Sequence, residues 1–176
     1  GTISHGQMWA ILPQTWLGNL VGSVFVALLY SWGGGSLLPV DTSIVHSVAL
    51  AKTTAPATVL FFKGALCNWL VCLAIWMAIR TEGTAKFLAI WWCLLAFIAS
   101  GYEHSVANMT LFALSWFGHH SDAYTLAGIG HNLLWVTLGN TLSGVVFMGL
   151  GYWYATPKSE RPAPAKINQP EAAANN

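Results

Sequence analysis

The chain has 176 residues, of which 55% are hydrophobic and only 7% charged, and its formal net charge is +1. A soluble domain carries about 25% charged residues, so a globular surface could not be solvated, and apolar runs long enough to cross a bilayer recur. This composition excludes an ordinary soluble enzyme and a disordered chain, and it offers no basic stripe to nucleic acid. What remains is an all-α polytopic membrane protein.

Spans are read against the roughly 20 apolar residues that cross a hydrocarbon core. The first runs from Pro13 to about Trp32 without a charge. Gly33-Gly34-Gly35 and Pro39-Val40-Asp41 mark the loop that follows. The second covers about Thr53 to Ile79, interrupted only by Lys63, and Arg80 to Lys86 forms a charged connector. The third hydrophobic region is divided: residues 87–101 and 105–117 are apolar, with Tyr102-Glu103-His104 between them. At about 1.5 Å per residue neither piece spans a core of about 30 Å. Together they make one crossing, broken near its middle, where freed backbone is tolerated if it lines a cavity. The fourth span is residues 126–155, and residues 157–176 are a proline- and alanine-rich tail expected to be disordered. The membrane domain is therefore residues 1–156.

Lys158, Arg161 and Lys166 lie in the tail, Arg80 and Lys86 in the connector, and the 118–125 loop has no Lys or Arg. Four crossings put tail and connector on one side, which the positive-inside rule makes cytoplasmic. Leu17-Gly18-Asn19 of the first span reappears as Leu138-Gly139-Asn140 in the last. Equivalent helices three crossings apart run in opposite directions, as in an inverted three-plus-three repeat. The partners of such a repeat predict two further helices upstream of Gly1.

Ionisable residues inside a crossing are functional candidates by default. Glu103 and His104 come first, because an imidazole exchanges a proton near neutral pH; alternatively, the pair only satisfies the backbone freed at the break. Asn68, Asn19 and Asn140 carry amides able to hold a small oxyanion or to bond a neighbouring helix. Lys52 stands at the outer mouth of the second span, where it attracts anions or snorkels to the interface. Lys63 is deeper and has no evident role. The Gly18-x-x-x-Gly22 spacing predicts close helix packing. His119, His120 and Asp122 sit in a polar loop and give little support to a metal site. Trp91, Trp92, Trp116, Trp153 and Tyr154 fit interfacial or lipid-facing positions. Cys67, Cys72 and Cys93 lie inside apolar runs, as small buried hydrophobes do. No cofactor is implied.

The run Gly64-Ala65-Leu66-Cys67-Asn68-Trp69-Leu70-Val71-Cys72-Leu73-Ala74 resembles the signature of the formate/nitrite transporter family. Ser100-Gly101-Tyr102-Glu103-His104-Ser105-Val106-Ala107-Asn108-Met109 is similar to its broken-helix motif, and Leu138-Gly139-Asn140 to its last-helix motif. The resemblance implies an aquaporin-like fold, a homopentamer with one pore in each protomer, and residence in a bacterial inner membrane. It implies a channel for a small monovalent weak-acid anion, nitrite by preference and formate as the alternative, rather than an enzyme. His104 becomes the central pore histidine able to protonate the anion, with Glu103 tuning it. Asn68 and Asn140 become pore-lining asparagines, Phe97 and Val71 parts of hydrophobic constrictions, and Lys52 part of the outer vestibule. The family's other signature, with a pore-loop threonine, has no match here, and its place would be upstream of Gly1.

Two rivals come from other classes. A haem-carrying membrane subunit of an oxidoreductase would use His104 and His131 as axial ligands, but His131 lies too early in the last span to face a mid-membrane His104. A neutral-solute or ammonium channel fits the broken helix but leaves Lys52 unused.

Overall fold

The computed structural model describes residues 5–35, 44–118 and 120–157, and all their regular structure is helical. Asp41, His119 and the tail beyond residue 157 lie outside the described residues.

Helix α1 is His5–Trp32, 28 residues long, with Pro13 inside it. The span predicted from Pro13 therefore begins earlier, and the proline is absorbed into a helix rather than starting one. Helix α2, Ile44–Thr53, was not anticipated: it is only ten residues and is interrupted by His46 and Lys52, so it is too short and polar to read as a crossing. It also corrects the second span. The chain breaks after Thr53 and restarts as α3, Ala57–Arg80. Pro56 sets that boundary, with extended backbone at φ −61° and ψ 144°; a proline also disfavours helical backbone at the residue before it.

Helix α4, Gly83–Ala99, and helix α5, Ser105–Phe117, flank the break at residues 100–104. Gly101 turns the chain there with φ +62°, a left-handed value that glycine adopts without a Cβ clash. Helix α6, Leu126–Leu142, continues through a π-wound stretch, Ser143–Leu150, into α7, Gly151–Ala155. Three stretches, Trp9–Trp32, Ala57–Arg80 and Leu126–Ala155, are long and apolar enough to cross a membrane, and α4 and α5 are shorter apolar helices.

Close packing is concentrated where α3 meets α6. A Cβ on Gly139 would lie 2.1 Å from the Phe61 carbonyl oxygen, one on Gly64 2.9 Å from that of Val136, and one on Gly144 2.7 Å from Asn68 Nδ2. Backbones approach this closely only because no side chain intervenes. By contrast, Gly18 and Gly22 have open space at their Cβ positions among the described residues. The predicted close packing at that spacing is not made within these residues.

Helix α1 packs on α5 and α6 through its other side, where Thr110 donates to Ser23 Oγ at 3.0 Å and Trp16 Nε1 to Thr137 Oγ1 at 3.1 Å. A cluster of Ala49, Met109, Phe112, Tyr124 and Leu133 fills the space between α2, α5, α6 and the 118–125 loop. Trp91, Trp92, Trp153 and Tyr154 are exposed, as expected for side chains facing lipid. Trp116 departs from that group and stacks on His120 at a centroid distance of 4.9 Å.

Candidate functional site

Four residues from four parts of the chain close a ring beside the break. Lys52 Nζ at the end of α2 meets Glu103 Oε1 at 2.8 Å. The other carboxylate oxygen, Oε2, accepts from Asn108 Nδ2 on α5 at 2.6 Å. The same amide donates to Asn132 Oδ1 on α6 at 2.9 Å, and Asn132 Nδ2 donates to the Lys52 carbonyl at 2.9 Å. Glu103, Asn108 and Asn132 are buried, with Lys52 half-buried. A lone charge at this depth would be costly; here each is neutralised by the other and both carboxylate oxygens are hydrogen-bonded.

The backbone opened by the break is satisfied mainly by Asn140. Its Oδ1 accepts the Ser105 N–H at 3.0 Å, while its Nδ2 donates to the carbonyls of Gly64 at 2.8 Å and Glu103 at 3.0 Å. The Glu103 N–H reaches the Lys63 carbonyl at 3.4 Å. Asn68 Nδ2 donates to the Asn140 carbonyl at 2.6 Å, lying against Gly144. Both asparagines thus tie α3, α6 and the break together, and Asn140 has each polar atom of its amide engaged with backbone.

His104 caps α5. Its extended backbone (φ −116°, ψ 117°) lets Nδ1 accept the Ala107 N–H at 3.4 Å, the place where a capping acceptor satisfies a helix's first free donors. An accepting Nδ1 puts the proton of the neutral ring on Nε2. That nitrogen has no hydrogen-bond partner among the described residues. The ring lies 6.1 Å from that of Phe97, tilted by 38°. His104, Phe97, Asn68 and Val71 are each half-buried.

Sequence reasoning thus reaches Lys52, Glu103, His104, Phe97, Asn68 and Asn140, which gather around the break, while Val71 lies three residues beyond Asn68 on α3. Two corrections of emphasis follow from the geometry. Lys52 does not stand alone as an anion lure, because its charge is matched by Glu103; and the Glu103 carboxylate is committed to Lys52 and Asn108 rather than to the imidazole. The reading missed Asn108 and Asn132, although an amide inside an apolar helix is itself a signal. His131, offered as a haem ligand, bonds through Nε2 to the Ala55 carbonyl at 3.1 Å. Among the described residues no group of three or more His, Cys, Asp or Glu could hold a metal ion.

A family model for the formate/nitrite transporters matches residues 1–154. The chain belongs to the formate/nitrite transporter family. It is 90% identical over 174 residues to the nitrite transporter NirC of Escherichia coli strain K12, covering 99% of this chain and 65% of that protein. It is 35% identical over 162 residues to a probable formate transporter of Methanothermobacter thermautotrophicus, covering 80% of this chain and 56% of that one. A solved pentameric formate channel with formate bound superposes with a TM-score of 0.73 at 26% identity, covering 88% of this chain and 70% of that one. This formate/nitrite transporter chain therefore spans less than two thirds of the length of either curated relative. Its family and apolar helices make it part of a multi-pass membrane protein.

Proposed function

We propose that the full-length protein is a channel-like transporter for a small monovalent weak-acid anion, nitrite first and formate second. One observation carries this reading: His104 keeps Nε2–H unspent at a helix break, next to Phe97 and beside a charge pair that is already neutral. An ion-paired Lys52 and Glu103 contribute a dipole rather than a net charge, so an anion is neither trapped nor repelled outright. The imidazole hydrogen-bonds the anion and lends it a proton, and the neutral acid then passes the apolar constriction that rejects the ion. Phe97 and Val71 form constrictions; Asn68 and Asn140 hold the pore wall in place by bonding its backbone. The 90% identity to a nitrite transporter supports nitrite over formate.

The same proposal includes the architecture of the whole. Helices α1 and α6 are equivalent members of an inverted three-plus-three, aquaporin-like repeat, supported by the shared Leu-Gly-Asn motif. The protein assembles as a homopentamer with a pore in each protomer, as the likeness to a pentameric formate channel suggests. It resides in a bacterial inner membrane with the C-terminus cytoplasmic, following the Lys/Arg asymmetry. The test is uptake of labelled nitrite into proteoliposomes holding the full-length protein, with formate and chloride as competitors. Competition by formate but not chloride is expected; uptake indifferent to nitrite and formate alike refutes the proposal.

A further inference from the structure

Lys63 is the deepest charge of α3, and the ring around Glu103 leaves it out. Its carbonyl accepts the Glu103 N–H at 3.4 Å, and the next carbonyl, that of Gly64, accepts Asn140 Nδ2 at 2.8 Å. Asn140 stands midway along the Leu126–Ala155 span, so Lys63 lies level with the break, near the middle of the bilayer. From there a side chain about 6 Å long does not bring its ammonium to the surface of a core about 30 Å thick. Lys63 is half-buried. On one flank α3 places Leu60 and Cys67, both buried, and on the other Val59 and Leu66, both exposed.

Among the described residues the Lys63 side chain makes no ion pair and no hydrogen bond. Of the acidic side chains, Glu103 gives one carboxylate oxygen to Lys52 and the other to Asn108. Glu82 lies beyond the opposite end of α3, and Asp122 in the loop between α5 and α6. Asp41, Glu160 and Glu171 lie outside the described residues. Lys52 and Glu103 cancel, so with His104 neutral the described residues at the level of the break carry one net positive charge, that of Lys63. Such a charge costs stability in a bilayer. It also sets a field, which reaches further in a medium of low dielectric than in water.

Resting on the transport reading above, we propose that Lys63 sets the preference for anions. In the full-length protein its ammonium stays unmatched and holds the break at a positive potential, which Lys52, tied to Glu103, does not supply. It acts at a distance and without touching the anion, so it attracts without forming a trap and leaves the proton step to His104. At about 12 Å and an effective dielectric of about 20, one charge changes anion affinity by roughly tenfold. The same ammonium opposes a cation by a like factor.

The test uses the full-length protein at one fixed neutral pH, with nitrite uptake measured in proteoliposomes and melting in detergent. Lys63→Met keeps the length of the side chain and removes its charge, whereas Lys63→Arg keeps the charge. Nitrite KM is expected to rise about tenfold in Lys63→Met, with kcat little changed, and to stay near the wild-type value in Lys63→Arg. The melting temperature of Lys63→Met should rise, because an unmatched charge has left the bilayer. Affinity and stability then move in opposite directions, which a loss of packing alone would not produce. A lower melting temperature in Lys63→Met, or failure of that variant to fold, overturns the proposal, since it would show Lys63 paired with a carboxylate elsewhere in the full-length protein. Wild-type transport with an unchanged KM in Lys63→Met overturns this proposal alone. If the wild type carries neither nitrite nor formate, the transport reading falls and this proposal falls with it.

Discussion

Lys52 lies at the end of α2 and Glu103 in the non-helical break between α4 and α5, yet Nζ and Oε1 meet at 2.8 Å, and Asn108 and Asn132 close a hydrogen-bonded ring around the pair. Each charge is tolerated at this depth only through the other. Removing one partner of a buried pair leaves an uncompensated charge and costs about 3–5 kcal/mol, whereas removing both is often close to neutral. Lys52→Met and Glu103→Gln should each lower thermal stability in detergent markedly, and the double variant should recover much of that loss. Strict additivity of the two single losses would show that the pair is not coupled.

Asn140 has every polar atom of its amide engaged at the break. Asn140→Asp keeps the acceptor for Ser105 but loses both donors, stripping the Gly64 carbonyl of its second partner and leaving the Glu103 carbonyl at the break without the amide, at roughly 1–3 kcal/mol. Loss of folded protein, read by size-exclusion yield after extraction, is expected. A variant with wild-type yield and melting temperature would count against the bracing role.

The glycines of α3 and α6 make a sharper contrast. Gly139→Ala places a Cβ 2.1 Å from the Phe61 carbonyl oxygen, a clash that backbone must move to relieve. Overpacking of this kind costs about 1–3 kcal/mol. Gly139→Ala should therefore lower the melting temperature by several degrees and separate α3 from α6. An unchanged melting temperature would mean that α3 and α6 do not approach as described.

Tyr124 supplies a pH dependence outside the membrane-spanning segments. Burial pushes its phenol above the ordinary value of about 10, with a Ser115 hydrogen bond opposing that shift. The fold thus prefers the neutral phenol, which donates to the Phe112 carbonyl at 3.0 Å. A raised folded value stabilises fully below the unfolded value, and that contribution is lost as pH rises towards the folded value. Melting curves between pH 8 and 11 should decline at the alkaline end in the wild type and decline less in Tyr124→Phe. Parallel curves would remove Tyr124 from the account.

Much of this was legible because apolar length and interruption are strong signals. The break around residues 100–104 could be read from a tripeptide, Tyr102-Glu103-His104, inside an otherwise apolar run. Helix α2 was not legible, since ten residues with a histidine and a lysine look like a loop by hydropathy. The residues that meet at the break are legible in part for a similar reason. Glu103 and His104 announce themselves as ionisable groups in a crossing, but a sequence does not show that the carboxylate turns to Lys52 and the imidazole to Ala107. Asn140 was singled out for its amide, and only the geometry shows that the amide serves backbone. The Gly18 spacing pointed to packing that the described residues place at Gly64 and Gly139 instead.

In the proposed mechanism His104 lends a proton to the anion, and one substitution isolates that step. Asparagine is among the best helix caps, so His104→Asn keeps the Ala107 N–H satisfied while removing the titratable ring. The measurement is nitrite uptake into proteoliposomes of the full-length protein between pH 5 and 8, with internal pH recorded in the same vesicles. His104→Asn is predicted to fold and assemble, and to lose the acid-stimulated uptake together with the internal acidification that accompanies it. The flux that remains should be independent of pH. Wild-type uptake with wild-type internal acidification across the whole range would contradict the claim.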